Sequence, residues 1–247
     1  MIRTGIGGWI YPAWRAGNFY PVGMPQKQEL AYASGQVGAI EINATFYKLQ
    51  KPASYAQWRE QTPPGFMFAL KGSRFISNRK DLRTAGPAFE KFFAQGMEEL
   101  ADKLGPILWQ LAATKRFDAE ELAAFFASLP RKIGKREVRH AIEAGHESFG
   151  CEEFYAVARR AGVAVAYVED ENRPALPELT ADFAYLRCKK MRADCPTGYP
   201  AEELERIAGL CRRWGKEADV HAFMINGAKE RAPAAAIALA ALLRDAA

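Results

Sequence analysis

Polar residues recur at the ends of apolar, β-branched segments of this chain. AIEIN at 39–43 carries Glu41 and Asn43, FMFALK at 66–71 ends in Lys71, and ILWQL at 107–111 holds Gln110. VRHAIE at 138–143 ends in Glu143, FAYLR at 183–187 in Arg187, and VHAFMIN at 220–226 in Asn226. Side chains alternate along a strand, so Glu41 and Asn43 share one face while Ile40 and Ile42 take the other. Two acids, two bases and three amides in one interior are costly unless each is paired. The set is therefore either a structural network or a ligand site. A buried Glu41–Lys71 ion pair is the structural reading. It leaves Arg187 as the free cation, whose planar fork suits a phosphate or carboxylate, with Lys189 or the loop after the last strand as second contacts.

Glu143 and His146 set a carboxylate close to an imidazole, a combination able to move protons, although a lone histidine after a strand also serves as a hydrogen-bonded structural residue. His140 and His221 fall out of phase with the inward positions and are expected to face helices. Only Glu41, Glu143 and His146 are available as metal ligands at strand ends, fewer than such a centre gathers, so neither a metal nor a cofactor is expected. Aromatic residues accompany the polar set. GWIYPAWRAGNFYP supplies Trp9, Tyr11, Trp14, Phe19 and Tyr20, and Phe46 and Tyr47 follow Asn43. These rings either hold a flat ligand, with Trp9, Tyr11 and Tyr47 around its rim, or pack as a plug.

Strands must bring these positions together. Strand signals lie at Ile2–Gly7, Ala39–Asn43, Phe66–Lys71, Ile107–Leu111, Val138–Glu143, Val163–Val168, Phe183–Arg187 and Val220–Asn226. Helical periodicity fills Gln26–Ser34, Ser54–Glu60, Ala88–Leu104, Ala119–Ser128, Cys151–Ala161 and Ala201–Lys216. Alternating β and α signals imply a parallel sheet. With no linker or repeat to divide the chain, they predict an α/β fold of one domain over 1–247, a closed (β/α)8 barrel of TIM type whose sites lie at the C-terminal strand ends. An open doubly wound sheet would carry a GxGxxG fingerprint after its first strand, and Gly5-Ile6-Gly7-Gly8-Trp9 is not one. The unit at 169–182, with Pro174 and Pro177, is expected to be an extended connection with a weak or missing helix between strands six and seven.

The 34 Lys plus Arg against 29 Asp plus Glu leave 34 − 29 = +5, and 49% hydrophobic with 26% charged residues excludes disordered, collagen-like and disulfide-scaffold classes. The N-terminal residues are broken by Gly, Arg and Pro and show no secretion signal. The longest apolar stretch, Ala232 to Leu243, contains a proline and is far short of the roughly 20 residues a bilayer requires, so no membrane partner is expected. Cys151, Cys188, Cys195 and Cys211 form no CxxC pair and read as reduced thiols of a cytoplasmic protein.

TGIGGWIYPAW at 4–14 with FYP at 19–21, EINATFY at 41–47, the Lys71-ended third strand, LGPILWQL at 104–111 and NGAKERAP at 226–233 together resemble the YecE-like family, also called domain of unknown function 72. The resemblance runs in order over nearly the whole chain. It implies a TIM barrel and little chemistry, because the family's activity is not established. The chain also departs from the family pattern. Where the family tends to show Glu-x-Arg-His-x-Ser-Trp, this chain has Glu143-Ala144-Gly145-His146-Glu147-Ser148-Phe149, so the Arg is absent. The family's Asn-Asn-Asp and His-Ala-Pro-x-Asn are replaced near Asn226-Gly227 and Arg231-Ala232-Pro233, which puts any shared reaction in doubt.

Two functions follow. One is an enzyme or binder of a polar, anionic small molecule at the C-terminal mouth, with Lys71 and Arg187 on the anion and Glu143 or His146 moving protons. The alternative is a nucleic-acid-associated protein using a basic rim and the aromatic loop, drawing on the runs at Arg131–Arg136, Arg187–Arg192 and Arg212-Arg213, and marked by steep salt dependence. The oligomeric state is left open.

Overall fold

The computed structural model describes residues 1–170 and 174–244. The barrel begins with β1 (Ile2–Gly7), β2 (Ala39–Ile42), β3 (Met67–Lys71) and β4 (Leu104–Gln110). A short antiparallel hairpin, β5 (Lys132–Ile133) and β6 (Arg136–Glu137), precedes β7 (His140–Glu143), β8 (Ala164–Val165), β9 (Tyr167–Glu169), β10 (Phe183–Cys188) and β11 (Asp219–Met224). The main sheet has nine parallel strands in the order β8-β7-β4-β3-β2-β1-β11-β10-β9. Its two ends are halves of one segment, interrupted at Ala166, whose N–H still donates to the Ile142 carbonyl at 2.9 Å. The ring thus nearly closes on eight strand positions. Val163–Val168, expected as one strand, is divided so that its first half pairs with β7 and its second with β10.

Helices α1 (Glu29–Ser34), α2 (Ala44–Tyr47), α3 (Pro52–Glu60), α4 (Arg74–Ser77), α5 (Gly86–Phe93), α6 (Ala119–Ala127), α7 (Glu152–Ala161), α8 (Ala201–Gly215) and α9 (Ala232–Arg244) complete the chain. Expected helix starts are visible locally: the Asp118 carboxylate caps α6 by accepting from the Glu121 N–H, and α7 ends on left-handed Gly162. The helix expected over 88–104 instead stops at Phe93. Gly96, at φ +89°, turns the chain into a 3-10 stretch that runs directly into β4. The apolar stretch from Ala232 is α9, which sequence periodicity did not mark, because alanines all round give little amphipathic contrast. The described residues of 169–182 contain no helix beyond the end of β9, and 171–173 lie outside the described residues. No described helix is long and apolar enough to cross a membrane, and all four cysteines are free thiols.

Alternation divides the core into two layers. Ile40, Ile42, Phe68, Leu70, Trp109 and Ile142 pack outward against the helices. Inside the barrel, small Ala39, Ala69, Ala141 and Ala164 are interspersed with Met67, Leu108, Phe183, Tyr185 and Phe223, which fill a narrow interior. Strands buried on both faces lose the polar-apolar alternation of a half-exposed sheet, so a polar residue in phase with these alanines marks a buried position.

The phase assignment fails on β11. Ile225 and Phe223 belong to the interior layer, so His221 points inward at the N-terminal end, 3.1 Å from an Arg139 nitrogen and beside the Phe183 ring. Asn226, taken as inward, lies past the strand and is exposed. These are one correction: counting Asn226 inward shifts every β11 side chain to the opposite face. His140 does face the helices, accepting from the Trp109 indole N–H at 3.2 Å.

Neighbouring strand backbones approach closely at Gly5, where an added Cβ would meet the Ala39 carbonyl oxygen at 2.4 Å and the Phe223 ring at 3.0 Å. Backbone on a neighbouring strand cannot rotate away. Gly5→Ala is expected to lose about 1–3 kcal/mol or more of stability through overpacking, read as a lower urea midpoint; an unchanged midpoint would refute the tight β1–β2 contact.

Candidate functional site

Five of the polar strand-end residues converge at the C-terminal end of the interior. Register places Glu41 level with Ala69, Lys71 level with Leu108, Gln110 level with Glu143, and Arg187 level with Phe223. Each neighbour named is itself interior, so the side chains point into one space.

The centre is Arg187, 1% exposed, between two carboxylates that are 0% exposed. Its Nη2 donates to Glu41 Oε1 at 2.8 Å and its Nε to Glu41 Oε2 at 3.1 Å, a bidentate fork. Its Nη1 donates to Glu143 Oε2. Tyr185 OH donates to Glu41 Oε2 at 2.8 Å, while Gln110 Nε2 and Lys189 Nζ donate to Glu143 Oε1 at 2.7 and 2.9 Å. Burial works against the guanidinium, but the charges of Glu143 and Glu41 outweigh it and hold its pKa above the ordinary value. Burial, and then the Glu41 charge, push the Tyr185 phenol well above its usual range, so it stays a donor. The reading that paired Glu41 with Lys71 and left Arg187 free is therefore corrected: Arg187 reaches across the barrel and occupies both acids.

Lys71 stands apart from that network. It is 7% exposed, its Nζ lies 4.1 Å from the centre of the Phe46 ring, and among the described residues it forms no ion pair within 4 Å. Burial, reinforced by the positive charge of Arg187, lowers its pKa to about 8. Phe46 follows directly from EIN; its place three residues after Asn43 was legible, but its role under the lysine was not.

The remaining positions separate. Asn43 is half-buried and makes one long bond, 3.4 Å, to the Glu41 carbonyl. His146 is not brought to Glu143 by any contact: its Nδ1 accepts from the Ser148 N–H at 3.1 Å and faces the Ser148 hydroxyl at 2.9 Å, capping a 3-10 turn, and its Nε2 faces Arg116 at 3.5 Å. It is a turn residue with its acceptor nitrogen occupied. Trp9 leans into the helix layer, edge-on to Trp58 and Phe68. Trp14 is fully buried, and its indole donates to the Lys229 carbonyl at 2.8 Å, so much of the first loop is packing. Tyr11 presents its ring to the Lys229 ammonium at 5.0 Å. Burial lowers the pKa of Lys229, and the Glu41 charge opposes that shift, which brings this lysine within the electrostatic reach of the mouth. Tyr47 is 58% exposed and lies outside the interior set. Among the described residues no three of His, Cys, Asp and Glu gather as a metal's donor set.

Comparison with known proteins places this geometry in a family. The family described as "Protein of unknown function DUF72" matches residues 3–247. UPF0759 protein YecE of Escherichia coli strain K12 is 32% identical over 149 residues, covering 60% of this chain and 50% of YecE. The match thus spans about half the length of that curated relative. Among solved structures, a DUF72 family protein of Thermotoga maritima MSB8 superposes with a TM-score of 0.79 at 23% identity over 99% of both chains. One from Enterococcus faecalis V583 gives 0.75 at 18% identity over 99% and 98%. D-psicose 3-epimerase from Clostridium cellulolyticum H10, at TM-score 0.56 and 13% identity over 98% of each chain, shares the barrel alone.

Arg187→Ala is expected to strip both buried carboxylates of their principal partner and to cost about 3–5 kcal/mol at pH 7. In that variant Glu41, left without a cation, takes up a proton more readily in the folded state than in the unfolded chain. The deficit should therefore shrink as pH falls toward 5 and be full again at pH 7. Urea denaturation of variant and parent at both pH values checks this, and a deficit no larger than that of exposed Arg83→Ala would contradict it.

Proposed function

This chain belongs to the DUF72 family, and we propose that it holds a small phosphate- or carboxylate-bearing molecule at the C-terminal mouth of its barrel, with Lys71 as the cation that meets the anion. One observation carries this reading. Glu41 and Glu143 are in ion-pair contact with Arg187 and Lys189, whereas the Lys71 ammonium rests on an aromatic ring, with the two carboxylates acting on it only from beyond ion-pair distance. An ammonium held away from water with no carboxylate in direct contact gains from an incoming anion. Asn43, with amide capacity to spare, and Lys229 beside Tyr11 are the nearest candidates for second contacts. Binding is favoured over proton transfer, because Glu143 is fully engaged and His146 is committed to its turn.

The test uses sulfate, which stays a dianion across the range studied. Calorimetric titration of the parent should give saturable binding that Lys71→Met weakens by roughly 1.5–3 kcal/mol, the range for a hydrogen bond to a charged group. The bound form requires the protonated amine. Affinity should therefore be level below pH 7 and fall as pH rises through about 8, while Lys71→Arg should keep its affinity to higher pH. Equal sulfate affinity in parent and Lys71→Met would remove Lys71 from the site, and with it this reading.

A further inference from the structure

A second, independent feature lies outside the barrel interior, beside the C-terminal end of β3. Three of the large apolar side chains left exposed gather there: Tyr47 at 58%, Leu49 at 47% and Phe75 at 59%. They come from α2, the turn after it, and α4. The Arg74 guanidinium lies 5.3 Å from the Phe75 ring and 5.7 Å from the Tyr47 ring, bridging the two aromatics. Next to them opens a groove of about 360 Å³ lined by Lys48, Leu49, Ser73, Phe75 and Arg79 from this side and by Pro87, Ala88 and Lys91 of α5 from the other. Its charged lining is Lys48, Arg79 and Lys91, with no carboxylate. Arg79 is held in place, its Nε donating to the Phe75 carbonyl at 2.8 Å and its Nη1 to the Thr84 hydroxyl at 3.4 Å.

We propose that this groove docks single-stranded nucleic acid, with phosphates along Lys48, Arg79 and Lys91 and unpaired bases stacked on Phe75 and Tyr47. The charge is complementary to a polyanion, and the rings decide which one. An acidic peptide would answer the cations but leave two largely exposed aromatic faces without a partner, whereas every base offers a π-face to stack on. A duplex hides those faces inside its stack, so the rings favour an unpaired strand. An arginine between two rings also fits a ligand in which phosphates and bases alternate along the chain. The site shares no residue with the Lys71 site and does not rest on that reading.

Fluorescence polarisation with labelled dT12 tests it, together with a 12-base-pair duplex and unlabelled polyglutamate as competitors. The parent should bind dT12 saturably at 50 mM salt. Affinity should fall with salt at a slope of roughly 0.7 per phosphate contact, or about 2 for three cations. Phe75→Ala should weaken binding at least fivefold with the slope kept, and Lys48→Ala with Lys91→Ala should lower the slope by about 1.4. All three positions are peripheral to the core, and an unaltered urea midpoint in each variant confirms that the barrel is intact. No binding to dT12 at 50 mM salt would overturn the proposal. So would parental affinity in both variants, equal affinity for the duplex, or displacement of dT12 by polyglutamate at matched charge. None of these outcomes alters the case for Lys71.

Discussion

The guanidinium of Arg187 is the constraint around which the C-terminal half of the barrel interior is arranged. Two carboxylates with no exposure to water cannot stay ionised in a core of alanine, leucine and phenylalanine unless a cation with several directed donors lies between them. Arginine meets that need where lysine would not: its three nitrogens divide between Glu41 and Glu143 in one plane. The acceptor sites left over are taken by Tyr185, Gln110 and Lys189. Such a network is sensitive to register, since a one-residue slip of β2, β7 or β10 would place a charge against the helix layer. It therefore specifies how the ring closes at the sixth strand, which is the most irregular part of the sheet.

Much of this was legible in the sequence, for a definite reason. Strands covered on both faces carry few polar residues, so Glu41, Lys71, Gln110, Glu143 and Arg187 stand out at strand ends, and phase with Ala69 and Ala141 places Lys71 and Glu143 inside. The pairing was not legible. Adjacent strands suggested Glu41 with Lys71, yet Glu41 is joined to a residue on β10. The two strands face each other across an interior narrowed by small side chains, and an arginine is long enough to span it. Sequence spacing carries no information on distances across a barrel. Tyr185, two residues before Arg187 and in phase with it, could have been found by the same alternation.

The errors have local causes. Asn226 was assigned inward because it ends an apolar run, but β11 finishes at Met224 and the phase there is set by Phe223 and Ile225. That one-residue slip also hid His221, whose burial, with the nearby Arg139 charge, lowers its pKa to about 3 and keeps it neutral at the barrel's N-terminal end. The aromatic loop was undecided between ligand contact and plug, and it divides: Trp14 and Tyr20 are buried in packing, while Tyr11 turns to Lys229. Composition could not make that division, because indole and phenol rings serve both ends equally well.

The division between structural and available charge has a consequence for how such a barrel can change. Glu41, Arg187 and Glu143 support one another, and Arg187 is the member that cannot be spared, because it is the only ion-pair partner of Glu41 among the described residues, whatever the ligand. Lys71 carries no such obligation. Its ammonium rests on Phe46, a contact worth far less than the ion pairs beside it. Gly145, where the family pattern has an arginine, lies just past Glu143 in the same loop as His146, and the charge missing there is not needed to neutralise Glu143, which Arg187 and Lys189 already satisfy. Changes in the loops above the network can thus reshape the mouth of the barrel while the ion pairs below continue to hold the strands in register.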